Sequence, residues 1–176
     1  MKVAGILVVL AFTMLLPAGL YGQEFESDKI NSNLGVSWSL PVAQTSQFWA
    51  TGWGTSVGAG YNFNERHSAI GEFNWNRIYE NHSTLANPVR GFNDILSVTG
   101  NYRFELRGKS LGTYFIGGAG WYHSVGGSAP GGNGGIGVTV KTSEPSYRLY
   151  LEARYNYAPT RLVSTQFVNI TFGIRY

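Results

Sequence analysis

The chain has no cysteine among its 176 residues. That excludes a disulfide framework and a lipid-modified N-terminal Cys. With no thiolate and no His/Cys cluster, a structural metal site is unsupported, and no cofactor is expected. Charge is also scarce: Asp, Glu, Lys and Arg make up 13% of the chain, about half the usual fraction for a soluble domain. The net charge of +3 is modest and the basic residues are scattered, so no nucleic-acid footprint is present. Beyond the first residues there is no long apolar run, which excludes a transmembrane helix in the remainder.

What is present is glycine, at 24 residues, and aromatic side chains, at 15%. The N-terminal MKVAGILVVLAFTMLLPAGLYGQ opens with Lys2, runs apolar from Ala4 to Leu16 and meets Pro17 and small residues. This layout predicts a secretory signal peptide over residues 1–22 rather than a retained anchor, leaving a single domain at 23–176.

Eight stretches of that domain alternate at period two, which puts successive side chains on opposite faces of a strand. They fall near 32–40, 52–63, 68–79, 94–105, 113–123, 134–142, 146–157 and 167–176. In the seventh, Tyr147, Leu149, Leu151, Ala153, Tyr155 and Tyr157 oppose Arg148, Tyr150, Glu152, Arg154 and Asn156. The last carries Val168, Ile170, Phe172, Ile174 and Tyr176 on one face, up to the final residue. The fifth, TYFIGGAGWYH, is apolar on both faces and cannot be phased from its pattern. Short connections (NERH, LRGKS, SEPS) alternate with longer ones (PVAQTSQFWAT, ENHSTLANPVRGF, SVGGSAPGG, APTRLVST), as in an up-and-down meander.

The polar faces hold Gly, Ser, Asn and a few charges, not the Lys/Glu coat of a soluble surface. An apolar face toward lipid and a polar face toward a lumen fit this pattern. Lipid offers stray backbone groups no water, so the strands must close without an edge. The expected fold is all-β: an eight-stranded antiparallel up-and-down transmembrane β-barrel. Glu72, Glu105 and Glu152 are expected to pair inside it with Arg103, Lys141, Arg148, Arg154 and Arg175. Aromatics should form two girdles. Trp38, Trp53, Trp75, Tyr79, Trp121, Tyr155 and Tyr157 would lie at one end. Tyr61, Phe63, Tyr102, Phe104, Tyr114, Tyr147 and Tyr176 would lie at the other.

With GGIGVTVK, LYLEARYNY and FVNITFGIRY in this order, the chain resembles the eight-stranded outer-membrane β-barrels of the OmpA/OmpX-like and opacity-like group of Gram-negative-type bacteria. The resemblance implies an outer-membrane location and contact with its lipid. It also implies that Val168, Ile170, Phe172, Ile174 and Tyr176 serve as the signal read by the outer-membrane assembly machinery. OmpA carries a peptidoglycan-binding domain after its barrel; this sequence stops at the barrel, so wall tethering is not expected.

Signs of catalysis are few. Each histidine is followed directly by Ser, and adjacent strand residues point to opposite faces, so no such pair serves one site. The barrel deacylases look like a His-x-Ser pair with a Glu, and that pattern is missing. A looser constellation is Asp94 and His123 at the rim, with Ser124, Ser83 and His82 nearby. HSVGGSAPGGNGG lacks the Lys-Ser/Thr of a phosphate loop and is expected to be a flexible outer loop. The leading expectation is a non-enzymatic structural or surface-interaction protein. Its outer loops would offer Phe48, Trp49, Arg90 and Phe92 to lipopolysaccharide or another external partner. The alternatives are a lipid-A-modifying barrel and a soluble exported barrel with an apolar ligand.

Overall fold

In the computed structural model of the chain, residues 29–81, 91–106, 111–142, 147–159 and 164–176 are described. The expected leader over 1–22 lies outside them, as do His82, Ser83 and Arg90. The strands are β1 (Ile30–Pro41), β2 (Trp49–Asn62), β3 (His67–Glu80), β4 (Phe92–Leu106), β5 (Leu111–Ser124), β6 (Gly127–Lys141), β7 (Arg148–Ala158) and β8 (Thr165–Arg175). A single 3-10 turn at Thr45–Gln47 lies between the first two.

Each strand pairs antiparallel with its chain neighbours, and β8 returns to β1, which closes the barrel. The closing ladder runs from Asn33 opposite Arg175 to Pro41 opposite Phe167. Tyr176 N–H then donates to Ser32 O at 2.8 Å, and Ser32 N–H donates to Tyr176 O at 3.2 Å. The final residue is therefore hydrogen-bonded into the wall, and no sheet edge remains for lipid to meet.

The side chains are arranged inside out relative to a soluble protein. Glu72, Asn76, Ser97, Thr99, Asn101, Arg103, Glu152 and Arg154 are buried in the lumen. Leu34, Val36, Trp38, Val98, Phe115, Trp121, Ile136 and Phe172 are exposed on the outer face. An apolar exterior of this extent is unstable in water and is what a hydrocarbon surround requires.

Two apolar clusters interrupt the polar interior. Ile78, Ile95, Tyr122, Ala158 and Phe167, with Trp49 against them, fill the upper end, opposite the one where β1 starts and β8 finishes. Ile70, Tyr114 and Ile116 form a smaller cluster lower down.

The glycine-rich stretch departs from the expected loop. β5 and β6 pair without interruption from Leu111 opposite Val140 to Ser124 opposite Gly127, and only Val125 and Gly126 turn between them. Gly127, at φ +108°, takes a backbone conformation that a side chain resists. The strict alternation of short and long connections fails at this hairpin. Composition reads Gly and Pro as loop, but here the bare backbone is needed within a strand. A Cβ at Gly131 would lie 2.8 Å from Cδ2 of the inward Tyr122.

The fifth strand is now phased: Tyr114, Ile116 and Tyr122 point inward, Phe115 and Trp121 outward. Tyr114 is thus no member of the lower girdle; it is fully buried in the lumen.

Candidate functional site

Two groups of charges occupy the lumen. In the middle, Arg154 of β7 reaches across to Glu72 of β3 and also binds its strand neighbour Glu152. Its Nε lies 2.7 Å and its Nη2 2.6 Å from Glu152 Oε1. Neutral donors complete the carboxylates. Asn33 Nδ2 donates to Glu72 Oε1 at 2.8 Å, Asn101 Nδ2 to Glu72 Oε2 at 2.7 Å, and Tyr114 OH to Glu152 Oε2 at 2.9 Å. A buried charge is tolerable only when paired and hydrogen-bonded, and this cluster meets both conditions.

The second group sits at the lower mouth around Glu105 of β4. Its Oε1 is 3.2 Å from Arg103 Nε and 3.5 Å from Arg175 Nη1, and its Oε2 is 3.8 Å from Arg148 Nη1. The Arg175 guanidinium also stacks on Tyr114 and Tyr150, 4.7 and 5.1 Å from their ring centroids. Glu72, Arg103, Glu105, Arg148, Glu152, Arg154 and Arg175 therefore divide into two clusters instead of one network. Lys141 is exposed at the same end and joins no ion pair among the described residues.

Glycine makes room for these groups. A Cβ at Gly58 would stand 2.7 Å from Glu72 Cγ, and one at Gly137 would stand 2.7 Å from Tyr114 Cε1. A cavity beside Glu72, Glu152 and Arg154 has a volume of about 10 Å³, space for about one water.

The rim residues do not assemble as the sequence suggested. Asp94 points outward and is held by Arg77, with Nε and Nη2 each 2.7 Å from its two oxygens. Ser124 points inward, 3.4 Å from Thr165. His123 stands outward, and its Nδ1 lies 2.6 Å from Ser128 Oγ on β6. Ser128 lies in the glycine-rich stretch whose composition reads as loop, so no signal in the sequence places it opposite His123.

Trp49 and Phe92 are strand residues. Trp49 packs on the upper inner cluster, and the Arg77 guanidinium lies 4.1 Å from the Phe92 ring centroid. Phe48, just before β2, is exposed. Asn169 faces the lumen and donates to Asn76 Oδ1 at 3.1 Å.

The outer aromatics gather at the two ends. Trp53 meets Trp75 edge-on at 4.9 Å near the upper end and donates from Nε1 to Tyr79 OH at 3.1 Å. Near the lower end Tyr61 meets Phe63 at 5.7 Å, and Tyr147 lies 6.0 Å from Tyr176. A closed barrel with a polar filling, an apolar outer wall and two aromatic belts defines a transmembrane β-barrel.

The particular family follows from the chain itself. Residues 4–176 match the outer membrane protein beta-barrel domain family, and the chain belongs to it. The protein resides in the outer membrane. Among solved structures it is similar to Neisserial surface protein A, NspA, at 14% identity and a TM-score of 0.62, over 83% of this chain and 95% of that one. It is also similar to Ail of Yersinia pestis in a phospholipid bilayer nanodisc, at 20% identity and a TM-score of 0.50, over 83% and 99%. The outer membrane enzyme PagL matches at 10% identity and a TM-score of 0.47, over 82% and 97%. At these identities the likeness is one of fold alone. No curated protein sequence matches the chain significantly.

Proposed function

We propose that this protein is a non-catalytic, non-conducting outer-membrane barrel that reinforces the membrane or presents its upper rim to an external partner. The observation that carries this reading is the filled lumen. The Glu72–Arg154–Glu152 cluster spans it, the cavity beside that cluster is about 10 Å³, and an apolar layer stands above. In this reading the start of β1 and the end of β8 face the periplasm, and the upper end, with the connections at 42–48 and 125–126, faces outward. Reconstituted in planar bilayers, the protein is expected to give no stepwise conductance. Stable unitary channels of the unmodified protein would overturn the closed-lumen reading.

The outward row Val168, Ile170, Phe172, Ile174 and Tyr176 supports a role as the assembly signal, because it lies on the strand that closes the barrel. Tyr176→Ala should lower the amount of protein reaching the outer membrane several-fold while leaving refolding in detergent intact. Equal loss in both assays would make the defect one of stability, not recognition.

A second reading, lipid modification, draws on the His123–Ser128 contact, which puts a base within reach of a hydroxyl at the upper rim. His123→Ala separates the two readings. Mass spectra of the cell's lipids that are the same for wild type, His123→Ala and a strain lacking the protein would end the enzymatic reading.

A further inference from the structure

Among the described residues, three guanidiniums gather at the lower mouth of the lumen. The ion pairs of Arg103, Arg148 and Arg175 there share one carboxylate, Glu105. Three guanidiniums present about fifteen N–H donors against about four acceptor sites on one carboxylate. The shortfall is visible atom by atom. Nε and Nη1 of both Arg103 and Arg175 are buried and donate no hydrogen bond among the described residues, although Arg103 Nε and Arg175 Nη1 lie within ion-pair distance of Glu105. Arg103 satisfies one further donor on Ser68 Oγ at 3.1 Å. Arg148 and Arg175 are also direct cross-strand partners in the β7–β8 register. Like charges opposed in this way repel unless something lies between them.

We propose that this mouth is a binding site for a compact oxyanion of the phosphate class, held jointly by Arg103, Arg148 and Arg175 beside Glu105. Planar guanidinium forks match tetrahedral oxyanions in a way that ammonium groups do not. A phosphate placed among them would accept from the orphaned donors and neutralise the repelling pair. The Arg148 side chain is 46% exposed, so the site opens toward the end of the barrel that carries its termini. The anion pins β4, β7 and β8 together at that end. It can be free inorganic phosphate or the phosphate of an inner-leaflet lipid headgroup reaching over the rim.

The test uses protein purified from its outer membrane into a maltoside detergent free of phosphate. Inorganic phosphate is titrated at constant ionic strength with chloride as the balancing ion. The readouts are the Arg Nε–H resonances of ¹⁵N-labelled protein and the thermal midpoint. A saturable shift of the Arg103 and Arg175 signals with a rise in midpoint supports the site with the free ion as ligand. The same response only in nanodiscs of phosphatidylglycerol, and not in discs of a phosphate-free glycolipid, supports it with the headgroup as source. No saturable response in either arm overturns the proposal.

Two variants test the geometry. Arg148→Gln, at an exposed strand end, should weaken binding by about tenfold, the effect of losing one charge-assisted hydrogen bond. Glu105→Gln removes the competitor for the same donors and should tighten binding by a similar factor. Unchanged or weakened binding in folded Glu105→Gln protein, or unchanged binding in Arg148→Gln, also overturns the proposal.

Discussion

Glycines on the inner and outer walls of the same strands serve different ends. On the inner wall, a Cβ at Gly58 or Gly137 would collide with Glu72 or with the Tyr114 ring. On the outer wall, Gly100 and Gly134 have no atom within 4 Å of where a Cβ would stand. Gly58 and Gly137 are the complement of large side chains that reach in from the neighbouring strand, whereas Gly100 and Gly134 answer to nothing in the fold. A narrow barrel fills its interior by pairing large residues with bare backbone, so the inner wall is a packed core of mixed polarity. The outer wall meets fluid lipid and tolerates change.

Breaking the inner wall at its charge cluster should have the largest effect. Arg154→Met leaves Glu72 and Glu152 buried without their cation, and loss of one partner of a buried ion pair costs about 3–5 kcal/mol. Urea unfolding in lipid vesicles, followed by tryptophan fluorescence, measures this; a loss below 1 kcal/mol would mean that the cluster is solvated in the membrane. Gly137→Ala sharpens the comparison, because a single methyl group against Tyr114 should destabilise by about 1–3 kcal/mol through overpacking. Gly100→Ala, the same change on the outer wall, should fall within about 0.5 kcal/mol of wild type. Equal effects of the two alanines would dissolve the distinction between the walls.

Much of the barrel was legible because its signal is short-ranged. Leu149 to Tyr157 alternate against Arg148 to Asn156, and that pattern places Glu152 and Arg154 in the lumen without knowledge of any other strand. The C-terminal row Val168 to Tyr176 was equally plain. The sequence is silent or misleading where a residue's surroundings come from other strands. TYFIGGAGWYH shows apolar residues on both faces because Tyr114 donates to Glu152 and Tyr122 to Asn156 Oδ1 at 3.2 Å, so tyrosine serves as a polar residue there. SAPGGNGG resembles a loop by composition, although Gly131 must stay bare beneath Tyr122, as must Gly137 just after it beneath Tyr114. Asp94 and His123 sit on adjacent strands, as their positions suggested, but Asp94 turns to Arg77 and His123 to Ser128.

Period-two alternation is a property of the extended backbone, so the sequence by itself determined which face most residues take and that the strands form a membrane-facing wall. Which side chains meet across the lumen was decided only by closure. Arg154 and Glu72 are 82 residues apart, and their contact depends on the stagger between strands accumulated around the ring. The same stagger separates the central cluster from the arginines at the mouth, where Glu105 pairs with three guanidiniums.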